Sequence, residues 1–140
     1  MVTGEHGGAE WWRDAVVYQV YIRSFADADG DADGIGDIEG IRSRLGCLSD
    51  LGVDAIWVTP WYPSPVADGG YDVADYCGIA PVFGDLAQAE ALIAEVHDLG
   101  MRLIIDLVPN HTSDRHPWFT RVLAAGEGWQ IQGVIAMALS

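Results

Sequence analysis

Lysine is absent from this sequence. All seven basic residues are arginine, set against 21 Asp and Glu, for a formal net charge of −14. Nucleic acids and anionic membranes need a positive patch, so the balance argues against both as partners and suits a soluble protein, one able to hold a cation. Cysteine is scarce: Cys47 and Cys77 are too few and too isolated for a disulfide framework or a zinc site, which leaves two reduced thiols. No run approaches the roughly 18 apolar residues of a membrane span. No basic stretch followed by an apolar core opens the chain, so no signal peptide is expected and a cytoplasmic location is the default. What remains is 140 residues, half of them hydrophobic, enough for one domain with its own core.

Strand and helix signals alternate along the chain. Residues 1–10 are small and polar and are expected to fray. Val16 to Ile22 is β-branched and aromatic and predicts a mostly buried strand. After an Asp/Gly loop, Ile41, Leu45, Leu48 and Leu51 fall at helical spacing from about Ile38, with Gly52 where a left-handed C-terminal cap belongs. Val53 to Val58 predicts the second strand. Asp85 and Gln88 form a capping-box-like start to a second helix, with Ala89, Leu92, Ile93, Val96 and Leu99 on its buried face and Gly100 as its stop. Arg102 to Leu107 predicts the third strand. Strands separated by helices of this length pair in parallel. A Rossmann-like sheet would fit as well, but no Gly-rich phosphate loop follows the first strand.

Polar chemistry gathers where strands end. Asp106-Leu107-Val108-Pro109-Asn110-His111 follows the apolar run of the third strand, and strand ends are where α/β folds build their sites. His111 beside Asn110 reads as a site residue, against the plainer possibility of a histidine satisfied by local backbone. Gly69-Gly70-Tyr71-Asp72, after the second strand, offers an aromatic face beside a carboxylate, which suits a sugar's CH face and hydroxyls; a turn with half-buried tyrosines fits equally. Between the first strand and the first long helix, Asp29, Asp31, Asp33, Ile35 and Asp37 alternate with glycine and alanine. Such a loop can turn several oxygens, including the Ile35 carbonyl, onto one calcium ion. The position of the closing EF-hand glutamate is Gly40, so a true EF-hand is disfavoured. The competing reading is a solvated acidic turn whose Asp37 caps the helix.

Five separated motifs then fall in the order and spacing of one family: Tyr18-Gln19-Val20-Tyr21-Ile22-Arg23-Ser24-Phe25, Gly34-Ile35-Gly36-Asp37, Thr59-Pro60-Trp61-Tyr62-Pro63-Ser64-Pro65, Gly70-Tyr71-Asp72-Val73-Ala74-Asp75-Tyr76, and Asp106 to Ser113. Together they resemble the α-amylase superfamily, glycoside hydrolase family 13, and within it the bacterial α-glucosidases of the oligo-1,6-glucosidase and trehalose synthase group. The resemblance covers roughly residues 11 to 126.

It implies an α/β fold made of the first three β/α units, of eight, of a TIM (β/α)8 barrel over residues 11–113. Residues 114–126 would begin the domain inserted after the third strand, and 127–140 would form an atypical tail. The implied activity is retaining hydrolysis of α-glucosidic bonds in oligosaccharides, with a trehalose synthase-like transglucosylase or a non-catalytic calcium- or sugar-binding protein as alternatives. Tyr71, Asp72 and His111 would bind substrate, Asp106 and Asn110 would support the site, and Asp29, Asp31, Asp33, Ile35 and Asp37 would hold a structural Ca2+. That loop carries two residues more than the family pattern. The family's nucleophile, acid/base and stabilising carboxylate come from strands four, five and seven, so none is expected here and the 140 residues alone are expected to be inactive. The similarity fades near Gly126, and a truncated or shifted reading frame is expected there.

Overall fold

A computed structural model describes residues 10–31 and 33–125; the expectations for residues 1–9 and for the tail at 127–140 lie outside these. A short 3-10 turn, Trp11–Arg13, leads into β1 (Val17–Val20), α1 (Ile22–Phe25), α2 (Ile38–Leu51), β2 (Ala55–Val58), α3 (Leu86–Asp98), β3 (Arg102–Ile105) and α4 (Pro117–Ala125). The strands form one parallel sheet in the order β1-β2-β3, with Val17, Ala55 and Arg102 in one row and Val20, Val58 and Ile105 in another. Parallel order with a helix between each pair is the expected β/α repeat.

The helix boundaries follow from local chemistry. Asp37 caps α2 by accepting from the Gly40 N–H, and Gly52 closes it in the left-handed region at φ 81°, where L side chains are disfavoured. Asp85 and Gln88 form a reciprocal capping box at the start of α3. One face of the sheet packs on α2 and α3: Val20, Ile56 and Val58 join Ile41, Leu45, Leu48, Leu92 and Val96 in the core, with Leu103 and Ile105 against it. Arg42 of α2 binds Glu39 on its own helix and Glu95 on α3, which fixes the two helices side by side.

Three expectations are corrected. The first strand is not mostly buried, because β1 is an edge: Val16, Val17 and Tyr18 are exposed, and Ile22 belongs to α1 instead. The third strand stops at Ile105, leaving Leu107 71% exposed beyond the sheet. Leu51, placed at helical spacing, and Leu99, assigned to a buried helix face, are exposed; Leu51 is the last residue of α2 and Leu99 the C-terminal cap of α3.

Candidate functional site at the strand ends

Asp106 is the centre of the site. It follows β3, and its Oδ1 accepts the Trp57 indole N–H of β2 at 2.7 Å while Oδ2 accepts the Tyr71 hydroxyl at 2.9 Å. The Tyr62 hydroxyl donates to the Asp106 carbonyl at 3.0 Å. Three residues that stand 35 to 49 positions earlier in the sequence thus converge on one residue at the carboxyl end of the sheet. Alternation places Trp57, Ile104 and Asp106 on the sheet face opposite the helices. The Tyr71 hydroxyl is held above its ordinary ionisation range, first by burial, then by its bond to Asp106 and by the charges of Asp106, Tyr21 and Asp68.

The loops after β2 and β3 are tied together around this centre. A ring nitrogen of His111, Nε2, lies 3.1 Å from the Tyr71 carbonyl, and Asn110 Nδ2 lies 3.5 Å from His111 Nδ1. A ring with its hydrogen on Nε2 and a lone pair on Nδ1 satisfies both contacts. The Tyr76 hydroxyl lies 2.7 Å from the Val108 carbonyl and 2.9 Å from that of His111, and Tyr76 rests in turn on Trp118 and His116. The structure therefore brings together Tyr71, Asp106, Asn110 and His111 from the expected set.

Asp72 has a different surrounding. Its Oδ1 accepts from Ser64 Oγ at 2.6 Å and the Asp68 N–H at 3.2 Å, and its Oδ2 accepts from the Ala67 N–H at 2.9 Å. Burial pushes its carboxyl up, but the donors from Ser64, Ala67 and Asp68 outweigh that and hold it below the usual range. Here Asp72 pins the 64–68 turn, in which Val66 takes the left-handed conformation at φ 63°. Asp68 is exposed, its carboxylate accepts no hydrogen bond from the described residues, and its charge reaches Tyr71. The only sequence signal for Asp68 was its place three residues before Tyr71.

The acidic loop is organised as a relay of turns. Asp29, Asp31 and Asp33 each accept from the backbone N–H two residues on, at 3.0, 2.9 and 2.6 Å. Carboxylate oxygens of Asp27, Asp31 and Asp33 come within 4.8 Å of one another, and so do those of Asp27, Asp29 and Asp37. Asp27, outside the expected ligand set, is common to both groups, and its Oδ2 also accepts the Gly34 N–H at 2.9 Å. Asp37 is buried, and its oxygens accept from the N–H groups of Ala28, Asp29 and Gly40, so it both caps α2 and closes the loop. An all-oxygen donor set of this charge fits a hard divalent cation.

Parallel β/α units with a polar site at the carboxyl ends of their strands define the α/β class of protein, barrels and open sheets alike. Residues 19–130 match the family described as "Alpha amylase, catalytic domain". The chain is 57% identical over 110 residues to a probable α-glucosidase of Rhizobium meliloti (strain 1021), covering 79% of this chain and 20% of that protein. It is 56% identical over 109 residues to probable oligo-1,6-glucosidase 3 of Bacillus subtilis (strain 168), covering 78% and 19%. The crystal structure of a trehalulose synthase from Pseudomonas mesoacidophila MX-45 superposes with a TM-score of 0.77 at 50% identity, covering 81% of this chain and 20% of that one. The chain belongs to the α-amylase family, glycoside hydrolase family 13, and its three β/α units are TIM-barrel units. It spans about a fifth of the length of the curated relatives it matches.

Proposed function

We propose that this chain supplies the sugar-binding strand ends of an α-glucosidase-type glycoside hydrolase acting on α-linked glucose oligosaccharides. The observation that carries the reading is the convergence of Trp57 and Tyr71 on Asp106, within a chain 57% identical to a protein named as a probable α-glucosidase and 56% identical to one named as a probable oligo-1,6-glucosidase over the matched residues. The fixed ring of Tyr71 offers an apolar face to a pyranose, and Asp68 is the acceptor for a hydroxyl beside it. Asp72 sits behind them as the pin of the turn, and His111 with Asn110 holds the two loops in register. Retaining hydrolysis requires a carboxylate nucleophile and an acid/base about 5–5.5 Å apart, and the family draws these from later strands. The 140 residues by themselves should therefore give no turnover of a chromogenic α-glucoside, and measurable hydrolysis would contradict that.

Calcium is the cation we assign to the acidic loop, with Asp27, Asp29, Asp31, Asp33 and Asp37 as carboxylate donors and Ile35 as a carbonyl donor. Its role there is structural: it neutralises crowded carboxylates between β1 and α2. The charge balance argues against nucleic acid, and among the described residues no helix is long and apolar enough to cross a membrane. We assign the protein to the cytoplasm.

A chimera tests the activity. Residues 19–130 of this chain would replace the matched segment of the Bacillus subtilis relative, and the product would be assayed on isomaltose and a chromogenic α-glucoside. Hydrolysis that falls at least tenfold in Tyr71→Ala and Asp106→Ala supports the proposal. A folded, inactive chimera counts against it. A transglucosylase is the second reading, favoured by the 50% identity to the trehalulose synthase; isomerised sucrose among the products would select it.

A further inference from the structure

The turn that presents His111 is held by side chains rather than by its own backbone. The Asp106 N–H donates to Val58 and the Ser113 N–H to Val73, but between them residues 107–112 make no main-chain to main-chain hydrogen bond among the described residues. Val108 is buried, whereas Leu107, Pro109, Asn110 and His111 are exposed. An exposed segment without a ladder or turn of its own opens easily unless something else fixes it.

Two tyrosines from the loop after β2 supply the fixing. The Tyr62 hydroxyl donates to the Asp106 carbonyl at 3.0 Å, where the segment begins. The Tyr76 hydroxyl lies 2.7 Å from the Val108 carbonyl and 2.9 Å from that of His111. A phenol has one hydrogen, so these two carbonyls share it, and both ends of the 108–111 turn are drawn to one point. Burial holds the Tyr76 hydroxyl above its ordinary ionisation range, which keeps that hydrogen in place. The Tyr76 ring is fixed by three others, with centroids 5.9 Å away at Tyr62, 5.6 Å at His116 and 6.0 Å at Trp118. The Trp118 N–H donates to His116 Nδ1 at 3.0 Å, so the start of α4 sets two of those rings.

We propose that Tyr76 is a positioning residue of the sugar site. It sets the 108–111 turn, the turn sets the His111 ring 3.1 Å from the Tyr71 carbonyl, and that contact sets the Tyr71 ring. Asp106 holds the hydroxyl of Tyr71 and His111 its main chain, so both ends of Tyr71 are fixed from one segment. Tyr76 touches no sugar in this scheme and acts through His111. This role rests on the proposed function for what Tyr71 does, but not for whether Tyr76 fixes His111.

A double-mutant cycle in the chimera, assayed on the chromogenic α-glucoside, tests it. Tyr76→Phe keeps the ring among its three neighbours and removes only the hydroxyl, so circular dichroism should be unchanged. Its kcat/KM should fall by roughly fivefold, the scale of one hydrogen bond. His111→Ala removes the residue through which Tyr76 acts, and in that background Tyr76→Phe should cost less than about twofold, because residues in one network are not additive. A merely structural role would cost the same in both backgrounds. In the 140-residue chain, where no activity is needed, Tyr76→Phe should shift the 15N and 1H signals of the His111 ring and leave those of His97, at the end of α3, in place. Unchanged His111 signals would overturn the proposal. So would a loss of kcat/KM independent of His111, or no loss at all. An inactive parent chimera counts against the proposed function instead, and there, as with a His111→Ala chimera too slow to assay, the His111 signals decide.

Discussion

At the scale of single residues, the site depends on how one carboxylate divides its two oxygens. Trp57 takes Oδ1 of Asp106 and Tyr71 takes Oδ2, so the ring of Tyr71 is held to β3 although it belongs to the loop after β2. Burial, and then the bond and charge of Asp106, hold the Tyr71 hydroxyl above its usual range. In Asp106→Asn the charge of Asp106 is lost and its bond weakened, while burial and the charges of Tyr21 and Asp68 remain, so the Tyr71 titration, followed by 13C NMR of the labelled ring, should move down toward the ordinary phenol value. An unchanged titration would mean that Asp106 does not hold Tyr71 in solution. His116 gives a second reading. It is buried beside Trp118, ring centroids 4.4 Å apart. Burial pushes its pKa down, Arg121 adds to this, and Asp75 opposes them. A histidine whose folded value lies below its unfolded value, about 6.5, costs stability in acid, because the unfolded chain then binds the proton more readily. Stability should be fully present above about pH 6.5 and fall as pH drops toward the folded value. His116→Gln should remove that component of the urea midpoint's pH profile, and a profile left intact would show that the charge is carried elsewhere. The residues of the strand-end site were legible because an apolar strand that runs straight into Asp, Asn and His sets polar groups where packing alone does not call for them. That Asp72 and not Asp68 meets Ser64 Oγ was not, since this depends on the fold of the 64–68 turn.

The elements show the same division between local and distant causes. The caps of α2 and α3 could be read from the sequence, since Asp37, Gly52, Asp85 and Gln88 act within a turn of their own helix. Burial of β1 could not, because it depends on which strands lie alongside it. Two glycines of α2 separate these influences. A Cβ on Gly40 would stand 1.8 Å from the Ala26 carbonyl oxygen, where the turn after α1 crosses the helix. At Gly46, on the exposed side, it would meet nothing within 4 Å. Gly40→Ala should therefore destabilise the chain by about 3 kcal/mol through backbone displacement. Gly46→Ala should stabilise it by roughly 0.5–1 kcal/mol through helix propensity. Urea unfolding followed by circular dichroism measures both. Equal effects of one sign would contradict the packing of α1 against the start of α2.

The whole molecule carries 21 acidic residues against seven arginines, and the most crowded of these charges lie between β1 and α2. The loop brings Asp27, Asp31 and Asp33 together, and Asp27, Asp29 and Asp37 together, with backbone donors meeting one oxygen each of Asp29, Asp31 and Asp33. Those N–H groups offset part of the repulsion, and a bound divalent cation would offset more. A cation that binds only the folded chain stabilises it by about 2.7 kcal/mol at a hundred times its dissociation constant. For a chain of this size that corresponds to a rise in Tm of roughly 10 °C. The expected outcome is that rise on adding calcium to chelator-treated protein, with little from the same ionic strength of sodium, which would only screen charge. Asp27 belongs to both groups, so Asp27→Asn should reduce the calcium-dependent rise more than Asp29→Asn. Asp37→Asn should lower the Tm even without calcium, because Asp37 also caps α2. A rise matched by sodium would reduce the loop to a capped acidic turn, and equal effects of Asp27→Asn and Asp29→Asn would remove Asp27 from the centre of the site.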